Sequence, residues 1–531
     1  MGDQRRDTAL VVVSGLAIVF LIAQLIDFGF GRDQGIYAVV GRAILDGGVP
    51  YRDAWDFKPP GIFFLYASAS AVFGGGTHAI RLLEASCLVA LVPAFVILSR
   101  HYVGDWRPGV LSSALAVLVH VQLEFWHTAQ PESFGVLFIA WGFAFATLAE
   151  DAAVARTSAA FWMMSGLCAG VSLLLKPTIA VGLAAPVGFG LWRHRRSARN
   201  ERDLSASLVA LSFGLGALLV VAGCLAFFVG RGGFSDLQRT FAEFVPSYTG
   251  LAWQRTQPLV LLFELVRRWL FAFAIVNAIG LGLFLAPFPS GRAREGLLCV
   301  GTGICLLLLG VYSQARLYPY HYGSVLALTA LLAGWGYWRL WLGLRTTRRG
   351  ALVFASFVVG LLIWRPSSTD LPDSFVRRCE LRIQSWVDTA NRDAIRDRLY
   401  TVADYRARDN RMTAAWVSQH TEDGRGIFVY GFTPEIYVAS NRHLVSRYIY
   451  DVPLRATWSR DTARMELMRS IDDAAPSAIV VEHGDRVGDV TGLPSDSASD
   501  LTTFTELRSL IERRYARQPP IGKFEIFRRV D

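Results

Sequence analysis

Residues 193–229 read RHRRSARNERDLSASLVALSFGLGALLVVAGCLAFFV. Arg193, Arg195, Arg196, Arg199 and Arg202 crowd into its first part, and residues 205–229 carry no charge at all. A helix needs about 20 apolar residues to cross the hydrocarbon core, and short arginine-rich loops stay on the cytoplasmic side. The stretch therefore reads as a cytoplasmic loop followed by a spanning helix. The same alternation recurs from residue 8 to residue 364 and then stops.

The whole composition agrees. Of 531 residues, 53% are hydrophobic and only 18% charged, with a mean hydropathy of +0.35, too little charge for a soluble surface of this size. The sequence predicts a polytopic α-helical membrane protein, with a membrane domain over 1–365 and a soluble α/β domain over 366–531. Intrinsic disorder, a fibrous protein and a disulfide-stapled fold are excluded. The net charge of +9 needs no nucleic-acid partner, because the arginines sit in short loops between apolar runs. The six cysteines show no metal-site spacing. MGDQRRD leads into the first apolar run with no small-residue cleavage site, so an uncleaved first span is expected.

Hydropathy suggests eleven spans, at 8–26, 79–99, 108–124, 132–150, 159–175, 177–192, 205–229, 265–287, 296–312, 321–338 and 350–365. GIFFLYASASAVF (61–73) is too short to cross and reads as a re-entrant or interfacial helix. Strict alternation puts 100–107, 193–202, 291–294 and 339–350 in the cytoplasm. The outer face receives the loop 27–78, the segments 125–131, 230–264 and 313–320, and the tail. Arg32, Arg42, Arg52, Arg231, Arg239, Arg255 and Arg316 then lie outside, against the rule unless they bind something anionic. In the tail, strands are expected at 426–430, 477–482 and 523–529, and helices over 372–419, 460–472 and 501–515, in a partly parallel sheet.

The first outer loop, DFGFGRDQGIYAVVGRAILDGGVPYRDAWDFKPPGIFFLY (27–66), has too much structure for a tether. Asp33 stands before a helix-like run, where it could serve as an N-cap, and Pro59-Pro60 opens the next helix. Asp33, Asp53, Asp56 and Lys58 thus gather at helix ends on the lip of a bundle, where ionisable groups are costly unless used or paired.

This loop resembles the first periplasmic loop of bacterial GT-C glycosyltransferases, the group that includes relatives of protein O-mannosyltransferase and lipid A aminoarabinose transferase. The resemblance rests on Asp33 and on Gly47, Pro50, Tyr51, Arg52, Asp53, Trp55, Lys58, Pro59, Pro60 and Gly61. Weaker echoes are Arg81, Glu132, Lys176-Pro177, His321-Tyr322 and the tail segment 431–450. It implies a GT-C bundle with an outward-facing cavity, in the bacterial inner membrane, transferring a sugar from a polyprenyl-phosphate donor to a lipid, glycan or protein acceptor. It also implies that Asp33 is the essential loop carboxylate and that Lys58 contacts the donor phosphate. Two departures stand out: Gln34 where many members carry an acid, and Ile36 where aminoarabinose-type members carry an arginine. The second weakens any transfer of that subgroup's substrate.

Carboxylate-assisted attack needs a base for the acceptor hydroxyl and cations for the leaving phosphate. Asp33 suits the first role, with Glu132 as a second carboxylate or a helix-start acid. Lys58, Arg316, His321 and Tyr322 suit the phosphate, although an aromatic belt alone would explain the tyrosines of VYSQARLYPYHYG (311–323). Lys176 either snorkels to the interface or adds charge to the cavity. Arg81 and Glu84 read first as a structural ion pair and second as cavity groups, beside Asp53 and Asp56. His120 reads as a satisfied bundle histidine and His127 as an interfacial one. No cofactor is expected, and Asp33, Glu132 and His321 are the groups that a fold could gather round a divalent metal. A flippase or transporter of a lipid-linked glycan is the rival reading. Such transporters usually show internal repeats, which this sequence lacks.

Overall fold

The computed structural model describes residues 2–196, 205–363 and 371–530. Most of the arginine cluster at 193–202 and the expected boundary at 365/366 lie outside the described residues. Among the described residues, seven helices are long and apolar enough to cross a membrane. They are Asp3–Ile26, Thr77–Val103, Pro131–Asp151, Ala155–Leu175, Ala206–Gly230, Gly291–Tyr312 and Pro319–Leu344. Eleven spans is therefore an overcount, and the reason is local. Arg107–Gln122 and Arg348–Ile363 have 16 residues each. The run from 177 breaks into Pro177–Ala180, a 3-10 turn and Ala184–Arg196. The run at 265–287 is interrupted by a π turn, Arg268–Ala272, which leaves only Ile275–Leu285 beyond it. A hydropathy window reads composition and cannot see these breaks.

The Pro319–Leu344 segment is the most buried of the seven and forms the axis of the bundle core. Its Trp335 donates to Ser99 Oγ at 2.8 Å, so the indole N–H is not stranded among apolar side chains. The bundle has two distinct faces. On one, Asp7 accepts from Trp341 at 2.8 Å and pairs with Arg107 at 3.4 Å and with Arg345, while Arg193 meets Glu150 at 2.7 Å. On the other lie the first loop, the 125–131 turn and the whole C-terminal part. This partition matches the one that the arginine-rich loops imply.

The loop folds into two helices, Arg32–Leu45 and Gly61–Phe73. They cross closely: a Cβ on Gly41 would sit 2.9 Å from the Ala67 backbone nitrogen, so only glycine fits there.

The C-terminal part is a mixed five-stranded sheet flanked by helices. Strand Ala478–Glu482 lies at its centre, parallel to Gly426–Tyr430 and antiparallel to Phe524–Arg529. Short strands His443–Leu444 and Tyr515–Arg517 edge the sheet. Every residue of AIVVE is buried, as a strand covered on both faces requires. The expected long helix at 372–419 divides into Phe375–Val387, Arg392–Leu399 and Ala407–His420. A tiny hairpin, Thr401–Val402 with Tyr405–Arg406, separates the last two.

Candidate active site

Asp33 lies inside the first turn of the Arg32–Leu45 helix, and the N-cap is Gly31. The capping role considered for Asp33 falls to Gln34, whose Oε1 accepts from the Gly31 N–H at 3.0 Å. Gln34 Nε2 donates to the carbonyls of Phe125 (3.1 Å) and Thr128 (2.6 Å), stitching the loop to the 125–129 turn. The half-buried Asp33 carboxylate is held by one hydrogen bond, from Gln130 Nε2 at 3.1 Å. Tyr37 donates to Gln130 Oε1 at 3.0 Å and so fixes the amide. Sequence reasoning missed Gln34 and Gln130, since an uncharged amide carries no signal of its own.

Lys58 sits opposite. Its half-buried ammonium has no ion pair among the described residues and rests over the rings of Phe57 (5.4 Å) and Tyr320 (5.8 Å). Burial opposes its charge, yet the fields of Asp33, Tyr248, Asp56 and Glu132 outweigh burial and hold its pKa above the ordinary value. Asp56 is buried and accepts from Tyr450 at 2.7 Å. Burial lifts its pKa against the opposing pull of Lys58 and the Tyr450 hydroxyl. Glu132 and Lys176 form a buried pair at 2.5 Å, and Lys176 also lies over Tyr320, at 5.7 Å. Glu132 Oε2 is buried with no hydrogen-bond partner. The ring of Tyr320 thus stands between two cations, with Asp33 and Glu132 around it.

His321 donates through Nδ1–H to the Arg316 carbonyl at 2.8 Å, and its ring lies 4.5 Å from Tyr320. Arg316 stacks on Tyr248 at 3.7 Å and donates to the Asp489 carbonyl at 2.6 Å, so the C-terminal part claims one of its donors.

Four expected site residues lie elsewhere. Tyr322 donates to the Leu265 carbonyl at 3.3 Å and packs on Phe273 in the bundle core, facing away from the phosphate cations. Asp53 pairs with Arg52 at 2.7 Å and accepts from the Val49 N–H at 2.7 Å, which makes it a turn residue at the surface. Arg81 and Glu84 are fully buried and paired at 2.8 Å, the first reading of that motif. Arg81 also holds Thr128 Oγ1 (2.9 Å) and the Gly29 carbonyl (2.8 Å), while Glu84 binds His120 (2.9 Å) and the Ala129 N–H (2.6 Å). That clasp positions both strands of chain that carry Asp33 and Gln130. His127 is buried beside Tyr320, 5.9 Å away, and burial lowers its pKa to about 3.

Among the described residues no group of three or more His, Cys, Asp or Glu is arranged to hold a metal ion. Glu132 is taken by Lys176, and the Asp33–Glu132–His321 gathering does not form. A cavity of about 690 Å³ lies on the opposite face of the Arg32–Leu45 helix, lined by Ala38, Arg42 and Leu45, and is separate from this cluster.

Residues 57–226, about a third of the chain, match the family described as dolichyl-phosphate-mannose-protein mannosyltransferase. The match takes in Lys58, Glu132 and Lys176. The crystal structure of ArnT from Cupriavidus metallidurans bound to undecaprenyl phosphate superposes with a TM-score of 0.62 over 98% of each chain, at 15% identity. Over residues 57–226 the chain is similar to that family, and its overall fold is that of the ArnT structure. The apo state of the same ArnT gives 0.62 and 14% identity, again over 98% of each chain. The superposition shows that the chain shares the fold of ArnT through bundle and tail alike. Comparison with curated protein sequences gives no match.

Proposed function

We propose that this protein is a GT-C glycosyltransferase that moves a sugar from a polyprenyl-phosphate donor to an acceptor of the cell envelope. The observation that carries the reading is the juxtaposition of a singly held carboxylate, Asp33, with an ammonium free of any ion pair, Lys58, beneath a common aromatic ring. A carboxylate held by a single amide keeps lone pairs for an acceptor hydroxyl, and an unpaired ammonium suits a phosphate. Asp33 takes the hydroxyl proton as the oxygen attacks the anomeric carbon. The phosphate leaves on the opposite side, towards Lys58, with His321 and the outer edge of Arg316 completing its surroundings. Attack opposite the leaving group inverts the anomeric centre. Glu132 keeps Lys176 charged at the rim, and Asp56 steadies the turn that carries Lys58.

The site and the C-terminal part share one face, which the arginine-rich loops place in the periplasm, in an inner-membrane setting. Alkaline phosphatase fused after Val530 should therefore be active, and an inactive fusion would overturn the orientation. The activity is tested with purified protein in detergent, polyprenyl-phospho-sugars and an envelope extract as acceptor. Sugar-transfer product supports the reading. Movement of a labelled lipid-linked glycan across proteoliposomes, without product, would favour the transporter.

A further inference from the structure

A second cavity, of about 450 Å³, opens between the helical stretch 234–254 and the C-terminal part. One wall is aromatic. Trp55 meets Phe244 edge-on at 4.7 Å between ring centres, and Phe244 meets Trp458 at 5.5 Å. The facing wall is polar, with Arg239 and Arg447 set against Asp236, Glu243 and Glu466. Arg447 is held by Asp236 at 2.9 Å and by Glu466 at 2.5 Å, so its charge is already matched twice. Glu243, also on this lining, is exposed and has no ion pair among the described residues. The indole N–H of Trp458 is buried without a partner, although a buried indole normally finds one.

These features select a ligand class. A phosphate or an acidic lipid is disfavoured, because three carboxylates face two arginines on this lining, with Arg447 already paired twice and Arg239 3.9 Å from Glu466. A purely apolar ligand would strand the carboxylates and the guanidinium. A sugar ring matches both walls, because its C–H face lies on an aromatic platform while its neighbouring hydroxyls bridge planar polar groups and the free indole N–H. Trp55 stands three residues before Lys58, within about 11 Å even along a fully extended chain, so a short oligosaccharide reaches from this cavity towards the reacting groups. We propose that the cavity binds a neutral saccharide of the acceptor, which makes the acceptor a glycan or a glycan-bearing molecule. This rests on the transferase reading above.

The test uses the full-length protein in detergent and a panel of neutral gluco-, manno-, galacto- and arabino-oligosaccharides, read by saturation-transfer NMR and tryptophan fluorescence. Phosphatidylglycerol vesicles form the anionic arm. At least one oligosaccharide should bind the parent. Trp458→Ala should weaken that binding about tenfold, the scale of a lost aromatic contact, and Trp458→Phe should retain most of it. Glu243→Gln, an exposed change that the fold tolerates, should weaken it less. Release of polyprenyl phosphate from the donor, with water as acceptor, is measured on the same samples and should be unaffected by Trp458→Ala. No saccharide binding by folded parent protein, binding indifferent to both Trp458→Ala and Glu243→Gln, or binding only of phosphatidylglycerol would overturn the proposal. Donor turnover absent from parent and variants alike would instead sink the transferase reading and leave the saccharide site standing on its own binding data.

Discussion

Replacing Asp33 by asparagine separates chemistry from architecture at this site. The carboxylate does not cap its helix, because Gly31 and Gln34 do that, and its one hydrogen bond comes from Gln130 Nε2. Asparagine keeps a carbonyl oxygen for that bond, so the structural loss reduces to a negative charge near a helix start, about 0.3–1 kcal/mol. Loss of a general base costs about 10²–10⁴ in rate, or roughly 3–5 kcal/mol in the barrier. The two effects differ enough to be read apart on one sample. A second signature follows from Lys58. Asp33 leads the charges that raise the Lys58 pKa against burial, so its neutralisation lowers that pKa. A lysine that works as a cation is then lost at lower pH, and the alkaline limb of the residual activity moves to lower pH. The assay is product formation from a polyprenyl-phospho-sugar across about pH 6–10, with thermal unfolding measured alongside. Parental turnover with an unshifted alkaline limb would refute both roles. Loss of activity together with a collapse of the melting temperature would show that Asp33 is structural after all.

Lys58→Ala should lower donor kcat/KM about 10- to 100-fold, and Lys58→Arg should recover part of it, because charge survives where geometry does not. Lys523→Ala is not a neutral control, since Lys523 bridges Glu482 at 2.5 Å, whereas Arg425→Ala, an exposed helix-end pair, is. Gln34→Glu aims a carboxylate at the carbonyls of Phe125 and Thr128. Thermal unfolding should register a loss of about 1–3 kcal/mol, and an unchanged melting temperature would remove Gln34 from the clasp. In the C-terminal part, burial together with Asp451 and Glu482 raises the Asp485 pKa to about 8. The folded state then holds a proton that the unfolded state has already released, so stability is greatest below the ordinary carboxylate range and declines as pH rises to about 8. Melting curves should fall over that window, and Asp485→Asn should flatten the fall.

How much of this was legible beforehand depended on the kind of signal. The membrane class was plain, because the uncharged run at 205–229 admits no other reading. The strands at 426–430 and 478–482 were legible for the same reason: a short apolar run between polar loops is a buried strand. Span number was not, because a π turn at 268–272 and the break after Lys176 depend on backbone hydrogen bonding rather than on hydropathy. In the site, the charged residues announced themselves, and Asp33, Asp56, Lys58, Glu132 and Lys176 do gather. Their partners did not. Whether Arg81 faces a cavity or Glu84 is settled by rotamers, and Gln130 or Tyr450 becomes visible only when segments 97 and 394 residues apart meet.

The outer arginines bring these levels together. Seven of them lie on the face where the charge rule expects few, and each finds a partner in the protein. Arg52 meets Asp53, Arg231 the Gly47 carbonyl, and Arg255 the Gly488 carbonyl. Arg42 lies near Asp46 and Arg239 near Glu466, while Arg316 reaches Asp489. The rule acts on short loops, and most of these residues sit in long ones, where folded contacts decide their place. Arg32 is the telling case. It pairs with Asp404 and lies 3.6 Å from Glu482, both in the C-terminal part, while its neighbour along the helix is Asp33. Asp485 adds to the field of those two acids, so three carboxylates of the C-terminal part anchor the start of the helix that carries Asp33. The C-terminal part therefore does more than cover the site. By holding Arg32 on one side and fixing Asp56 through Tyr450 on the other, it anchors the two loop segments that carry Asp33 and Lys58.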